Sequence, residues 1–499
     1  MSTSTDTLAA IDLGSNSFHM IIARVVDGQL QIVDRLKDMV RLGGGLDAEN
    51  NLSDESQQRA LTALSMFGER LKDIPSSSVR ALGTNTLRKA RNSKDFLKKA
   101  EQALGHPIEI ISGQEEGRIV YLGVAHNIFD HTNSNRIVVD IGGGSTEAIL
   151  GKGFDVIACE SLYMGCVSFS QKYFKNGSIT TKRFEQAILG ARQELRAIEN
   201  TYPAIGWTQA IGSSGTIKSI QAVLIEEKLG TLGITLEAMH RLKERLIGVG
   251  NVNQLNLAGM NPERAPVFAG GLAILIGVFE SLGIQQMQVS DFALREGAIY
   301  DLYGRTQDMD VRDVTINNMV RRYNVDEAHA RRVWETAKEL LGQVKQELLM
   351  DSSYIEAMLR RACMLHEVGL AISHSRYHKH GSYIVENSDM PGFSKKDQQL
   401  LWSLVRSHRR RFKPHRFANL PGDLSRQALY MAIILRLAVV LNRGRTANSH
   451  PAQINFEVEL PKLRLTFPEG WLESAPLMRE DLTQEQLYLR DAGFKFKFK

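Results

Sequence analysis

The sequence predicts an α/β protein of two successive lobes, followed by a helical segment and a small C-terminal sheet. An apolar run closing on an Asp and a turn of small residues occurs twice. The first is Leu8-Ala9-Ala10-Ile11-Asp12-Leu13-Gly14-Ser15-Asn16-Ser17, and the second is Ile137-Val138-Val139-Asp140-Ile141-Gly142-Gly143-Gly144-Ser145-Thr146. Between and after these runs, strand-like and helix-like stretches alternate, the mark of a parallel or mixed sheet covered by helices. Beyond about Tyr303 the strand signals vanish, and period-2 alternation returns only from Ala452. The expected domains are therefore 1–128, 129–303, 304–446 and 447–499, in keeping with 499 residues, too many for one core.

In chain order, Leu8 to about Arg35 alternates, with Ile21, Ala23 and Val25 on one face and Asp27-Gly28 as a hairpin turn. Asp54–Leu71 reads as an amphipathic helix, Val79–Leu82 as a strand, Ser93–Leu104 as a helix and Ile108–Ile111 as a strand. Gly113 opens a helix over Gln114–Ala125. After a polar joint at Asp130–Asn135 the pattern restarts. Arg136–Asp140 and Glu147–Leu150 form a hairpin, Thr181–Thr201 a helix, and Thr208–Ile211 a strand leading into Gly212-Ser213-Ser214-Gly215-Thr216. This restart points to a degenerate internal duplication. The helical segment contains Val325–Leu341, Ser353–His366, Lys396–Arg406 and Ser425–Leu441. The tail strands are Gln453–Leu460 and Leu463–Phe467.

Composition excludes several classes. Three unevenly spaced cysteines, Cys159, Cys166 and Cys363, argue against a disulfide framework and for a reducing compartment. The polar N-terminus has no secretory leader pattern. No uncharged apolar run is long enough to span a bilayer; Phe268–Leu282 comes closest, falls short of the roughly 18 residues needed and reads as a buried helix. A formal net charge of +5 is mild for this length and does not call for nucleic acid. The densest basic clusters are Arg406–Arg416 and the terminal Lys495-Phe496-Lys497-Phe498-Lys499.

The two strand–Asp–turn units carry the chemistry. Such a turn lets backbone N–H groups converge on an anion beside hydroxyls and a carboxylate that can hold a cation. Ser15, Asn16 and Ser17 are donors after Asp12, although a polar hairpin would look the same. Three consecutive glycines, Gly142 to Gly144, mark either a positive φ or a close backbone approach, and Ser145 and Thr146 follow as hydroxyls. Across the expected hairpin, Glu147 can share a hard divalent ion with Asp140; a solvated strand-edge carboxylate is the equal alternative. Gly212 to Thr216 reads as a third phosphate-facing turn, and Arg88, after Gly83-Thr84-Asn85-Thr86-Leu87, could clamp phosphate bidentately. Glu115 and Glu116 sit in a helix first turn, where carboxylates also favour the dipole. Successive helical residues diverge, so only one faces the cleft, where it could deprotonate a water. His366-Glu367 with His374, His378, His380 and His408 evokes a metal-dependent HD phosphohydrolase. Glu367 stands where such a site needs Asp, and the expectation is a helical scaffold without a working metal centre.

Taken together these motifs resemble the exopolyphosphatase / guanosine pentaphosphate phosphohydrolase (Ppx/GppA) family of the actin-like sugar kinase and heat-shock ATPase superfamily. The resemblance runs from Ala9–His19 through Gly83–Arg88, Ile110–Arg118, Val139–Glu147, Met164–Ser168, Gly212–Lys218 and Leu294–Gly297 to Leu365–Gly381. It implies two actin-like, ribonuclease H-like domains with the active cleft between them, then an all-α HD-like domain and a small α+β C-terminal domain. It further implies Glu116 as the general base and Asp140 and Glu147, with Asp12, as the residues serving a divalent cation, usually Mg²⁺. A monovalent cation is left open as an activator. Asn16, Ser17, Arg88 and the loops 142–146 and 212–216 would hold phosphates, with Cys166 and Ser168 in a substrate-lining stretch where Cys166 is no nucleophile. Gly117 departs from the Ala of many relatives. Relatives also imply a cytoplasmic homodimer, with some family members peripheral on the inner membrane.

The expected reaction is water attack on a terminal phosphorus, processive on long-chain inorganic polyphosphate if the basic helical surface holds the remainder. Guanosine pentaphosphate is the alternative substrate, and one protein can act on both. The stretch Leu365–Phe393 and the unbroken triple glycine favour the polyphosphatase branch. An actin-like ATPase or sugar kinase lacks its expected specificity segments here, and a non-catalytic polyphosphate-binding protein has no use for Glu116.

Overall fold

A computed structural model of the chain describes residues 7–26, 29–127, 134–230, 233–306, 311–344, 352–388, 390, 392–418, 420, 424–446, 449–451 and 453–499. The Asp27-Gly28 turn, most of the joint at Asp130–Asn135 and two residues of the Leu365–Phe393 stretch lie outside them. The chain divides into two compact units, Met1–Met309 and Asp310–Lys499.

The first unit holds two sheets. Strands β1 (Thr7–Leu13), β2 (Phe18–Val26), β3 (Gln29–Asp38), β4 (Val79–Gly83) and β5 (Ile108–Ile110) form one in the order β3-β2-β1-β4-β5. Strands β6 (Asn135–Ile141), β7 (Thr146–Lys152), β8 (Asp155–Leu162), β9 (Gln209–Ser213), β10 (Ile234–Thr235) and β11 (Gln286–Val289) form the other in the order β10-β11-β9-β6-β7-β8. In each, the first strand runs antiparallel to the second and parallel to the strand on its other side. Apart from the added β10, the second sheet repeats the strand order of the first, as the restarted pattern leads one to expect.

The expected face of β2 exists: Ile21 and Ala23 pack with Leu8 and Ala10. The opposite face is equally apolar, with Met20 and Ile22 beside Ala9, Ile11 and Leu13. A sheet covered on both faces shows this near-continuous apolar pattern. The predicted helix Thr181–Thr201 ends early, at Leu195, and a short helix restarts over Thr201–Ile205. Thr201 Oγ1 donates to the Ile198 carbonyl at 3.4 Å, a local bond that competes with the helical ladder. The apolar run forms the helix Ala265–Leu282, whose residues 268–279 are all buried. Pro262–Leu282, which contains it, and Leu424–Leu441 are long and apolar enough to cross a membrane, yet 72% of the most apolar 18-residue window of each is buried within the protein, so both serve as core helices of this fold.

Gly117 has a steric role as well as an entropic cost. A Cβ there would lie 2.4 Å from Cys159 Sγ on β8. Gly117→Ala is expected to destabilise the protein by about 1–3 kcal/mol. Pairing it with Cys159→Ala should recover most of that loss in chemical denaturation; no recovery would show that the clash is not the cause.

The second unit packs helices Glu327–Val344, Ser352–Leu365, Tyr377–Asn387, Lys395–Ser407 and Leu424–Leu441 around one core. Its sheet pairs β12 (Asn455–Glu459) with β13 (Lys462–Thr466), and β13 with β14 (Lys495–Phe498). The terminal Lys-Phe alternation is thus a strand. Phe496 is buried while Lys495 and Lys497 are exposed, and edge lysines discourage further pairing.

Candidate active site

In the first unit, β1, β4, β6 and β9 are parallel neighbours within their sheets, and their C-terminal ends deliver loops to one cavity of about 440 Å³. Asp12 and Asp140 project from the ends of β1 and β6. The turn Gly14–Ser17, the loop Gly142–Ser145 and the start of the helix Ser214–Glu226 form its wall, with Glu116 from the first turn of the helix Gly113–Asn127. This is where open α/β sheets carry ligands.

The glycine loop is explained by close approach. None of Gly142, Gly143 and Gly144 has a left-handed φ. A Cβ on Gly144 would fall 2.4 Å from Asn85 Oδ1, and one on Gly143 2.8 Å from the Ser15 Cβ. The two lobes' loops are in contact there, and a larger residue would part them. The carbonyls of Gly142 and Gly143 accept from the N–H groups of Cys166 and Val167, each at 2.9 Å, and the Gly142 N–H donates to the Ser145 carbonyl at 2.9 Å. Asn16 Nδ2 and Ser214 Oγ are buried without a partner among the described residues. Ser214 also takes a φ of 82°, a strained value for a non-glycine residue, at the helix start.

Of the paired glutamates, Glu116 lines the cavity, and Glu115, 2% exposed, is locked in ion pairs with Arg118 and Arg80 behind it. Arg88 does not line the cavity. Its Nη1 donates to Glu116 Oε2 at 2.8 Å and to the Ile111 carbonyl at 2.8 Å. Glu147 pairs across the hairpin with Asp140 but lies behind it, accepting from Ser161 Oγ at 2.8 Å. Several predicted phosphate contacts are spent internally. Thr146 Oγ1 donates to the Met164 carbonyl at 2.6 Å, Ser213 Oγ to the Phe292 carbonyl at 3.2 Å, and Ser168 Oγ caps Gly165. Gly212 is interior strand backbone. Cys166 lines the cavity, and burial pushes its thiol up, the wrong direction for a nucleophile.

The cavity also has cations that motif reading did not assign to it: Lys37 on β3, Lys218, Arg264 and Arg295. Lys218 and Arg295 fall within the resembling stretches Gly212–Lys218 and Leu294–Gly297, whereas Lys37 and Arg264 fall within none. Burial holds Lys37 and Arg264 below their ordinary values. Arg264 lies over the helix start, its Nη2 only 1.9 Å from where a Gly215 Cβ would be. Arg295 Nη1 donates to His19 Nδ1 at 3.0 Å, so His19 carries its proton on Nε2, 2.8 Å from Ser17 Oγ. Burial and the neighbouring cations push His19 down to about 3, keeping the ring neutral.

Burial raises Asp12 to about 8, Asp140 to about 7 and Glu147 upward, with repulsion from neighbouring carboxylates adding to it; burial alone raises Glu116, and Arg88 opposes that rise. A carboxyl raised from 3.8 holds its proton more tightly folded than unfolded. Its stabilising contribution is complete below that value and is lost as pH rises through 7 to 8. Ligand-free protein should therefore lose thermal stability between about pH 4 and 8, and Asp12→Asn or Asp140→Asn should flatten that fall. A variant curve parallel to the parent's would refute the shift. Buried carboxyls at the strand ends, whose charged forms burial disfavours, suit a hard divalent ion.

A model of the Ppx/GppA phosphatase family matches residues 21–306, and one of the Ppx/GppA phosphatase domain III matches residues 311–486. The chain is 40% identical over 477 residues to a guanosine-5'-triphosphate,3'-diphosphate pyrophosphatase of Aeromonas hydrophila, covering 96% of this chain and 95% of that protein. Its counterpart in Vibrio cholerae is 39% identical, covering 98% of each. Among solved structures, an exopolyphosphatase from Cytophaga hutchinsonii has a TM-score of 0.55 at 22% identity, covering 60% of this chain and 98% of that one. The Aquifex aeolicus PPX-GPPA enzyme has a TM-score of 0.50 at 25% identity, covering 59% and 98%. The fold shared with these structures is the actin-like one.

Proposed function

Since the chain belongs to the Ppx/GppA phosphatase family and is a hydrolase of phosphoanhydride bonds, we propose that it removes the 5′-terminal phosphate of guanosine pentaphosphate, leaving guanosine tetraphosphate. The observation that carries this reading is near-40% identity, over nearly the whole chain, to relatives named for that nucleotide. End-to-end identity is a broader basis than the two short stretches that favoured polyphosphate, and the preference is revised accordingly.

In this reading Glu116 orients a water and takes its proton as the oxygen attacks the terminal phosphorus. Arg88 offsets part of the cost that burial puts on the ionised form of Glu116. The P–O bond to the rest of the nucleotide breaks, and the departing phosphate oxygen keeps the electron pair. The amides of Gly143 and Gly144 and of the helix start at Ser214 would meet the phosphoryl oxygens, the Gly142 amide being spent on the Ser145 carbonyl, with Asn16 Nδ2 and Ser214 Oγ as unspent polar groups. Asp12 and Asp140, with Glu147 behind, would hold Mg²⁺, which when bound supplies charge neutralisation at the phosphates. Lys37 and Arg264, weakened as cations by burial, gain from anionic partners and meet the remaining phosphates.

Polyphosphate hydrolysis remains a second reading because of one feature of the helical unit, which we read as HD-like. There a groove of about 630 Å³ is lined by Arg376, Lys379, Arg406, Arg409, Lys413 and Arg416 among others. Product analysis by ion-exchange chromatography tests the main reading. Guanosine pentaphosphate should yield one orthophosphate and guanosine tetraphosphate per turnover. Release of a 3′-phosphate, or no turnover at all, would remove it.

A further inference from the structure

The second unit, taken by itself, brings three chemistry-bearing side chains together. His329, near the start of the helix Glu327–Val344, and His366 and Glu367, after the helix Ser352–Leu365, are all buried, and each offers a donor atom within 4.8 Å of the others. His408, at the end of the helix Lys395–Ser407, adjoins them, its ring centroid 5.4 Å from that of His366.

The hydrogen bonding of this cluster is one-sided. His366 Nδ1 lies 2.6 Å from the Cys363 carbonyl and His408 Nδ1 2.7 Å from the Val405 carbonyl. A carbonyl only accepts, so each Nδ1 carries the proton and each Nε2 presents a bare lone pair. Both Nε2 atoms, and Glu367 Oε2, are buried without a partner among the described residues. Each such orphan leaves a desolvated polar group uncompensated, and three on adjoining side chains need a common partner. A backbone carbonyl fixing one ring nitrogen while the other faces inward is the arrangement that supports metal ligation.

We propose that His329, His366 and Glu367, with His408 adjoining, form a binding site for a late first-row transition metal ion, with Zn²⁺ the best match. Imidazole nitrogens with one carboxylate suit Zn²⁺ over Mg²⁺, so this site is chemically distinct from the all-oxygen cluster of the cleft. Glu in place of Asp, taken from the sequence as a reason against a metal, does not keep the carboxylate out of the cluster. Arg445 now supplies the counter-charge, bonding Glu367 Oε1. Its Nη1 also reaches Asp326 Oδ2 at 3.2 Å, so a second carboxylate holds Arg445 when an ion takes Glu367. Arg445 and the metal therefore compete.

The full-length protein, stripped of metal, should bind one equivalent of Zn²⁺ in competition with a chromogenic chelator. With Co²⁺ it should show the visible d–d absorption of a low-coordinate nitrogen-rich site. His366→Gln and Glu367→Gln should each weaken this binding by at least about 100-fold, and Arg445→Met should tighten it by roughly 10-fold or more. Asp140→Asn, in the cleft, should leave it unchanged. Arg445→Met keeps the test decisive if a histidine variant does not fold. Absence of the absorption in the parent protein, weaker or equal Zn²⁺ binding by Arg445→Met, or loss of the signal in Asp140→Asn would overturn the proposal.

Discussion

Glu116→Gln is expected to lower kcat by roughly 10²- to 10⁴-fold, with little change in KM or in thermal stability. The amide keeps the shape of the carboxylate and an oxygen that can still accept from Arg88 Nη1, now 2.8 Å from Glu116 Oε2. It cannot take a proton from water. Glu116 stands in the cavity wall while Glu115 is turned away into an ion-pair network, so Glu115 cannot substitute. The parent's activity should also fall at acid pH, because burial raises the Glu116 carboxyl and its protonated form is inactive as a base. Steady-state rates for the parent and variant decide this. Activity within a few-fold of the parent would remove Glu116 as the base.

The largest expected stability effect comes from Asp301→Ala. Arg80, 1% exposed, donates to Asp301 Oδ2 at 2.6 Å and to Glu115 Oε1 at 3.4 Å. Arg118 donates to both oxygens of Glu115 at 2.8 Å and to Asp301 Oδ1. Removing Asp301 deprives the buried Arg80 and the part-buried Arg118 guanidinium groups of a shared carboxylate, an effect worth about 3–5 kcal/mol. The network joins the helix Gly113–Asn127, which carries Glu116, to the helix Leu294–Thr306, which carries Arg295. The loss should therefore reach kcat as well as the denaturation midpoint. Asp301→Asn, which keeps one acceptor oxygen, should lose less of both. Equal stability of Asp301→Ala and the parent would show the network to be dispensable.

Much of the fold was legible because its signals are local. Asp54–Leu71 and Ser93–Leu104 form the helices their periodicity predicts, to the residue. The Asp-tipped strands and small-residue turns marked the cavity's two central loops. Other features are settled only by tertiary packing. Glu115 and Glu116 are identical side chains on one turn, and their environments separate them. The same holds for the hydroxyls of Thr146 and Ser168, which look like phosphate donors in a motif and are used by neighbouring backbone in the fold. Lys37 is a single basic residue on an outer strand, and Arg264 precedes a core helix; nothing in either segment announces a shared cavity. Arg295 had a partial signal in the Leu294–Gly297 stretch. The Lys-Phe alternation at the C-terminus held a strand signal that its charge obscured.

The central claim is that the cleft acts on guanosine pentaphosphate in preference to long-chain polyphosphate. The most direct measurement is orthophosphate release from each substrate in parallel, as kcat/KM, with Mg²⁺ and with chelator. A higher kcat/KM for the nucleotide, abolished by chelator and by Glu116→Gln, is the predicted result. A higher value for polyphosphate would contradict the claim and make the basic groove of the helical unit part of substrate handling.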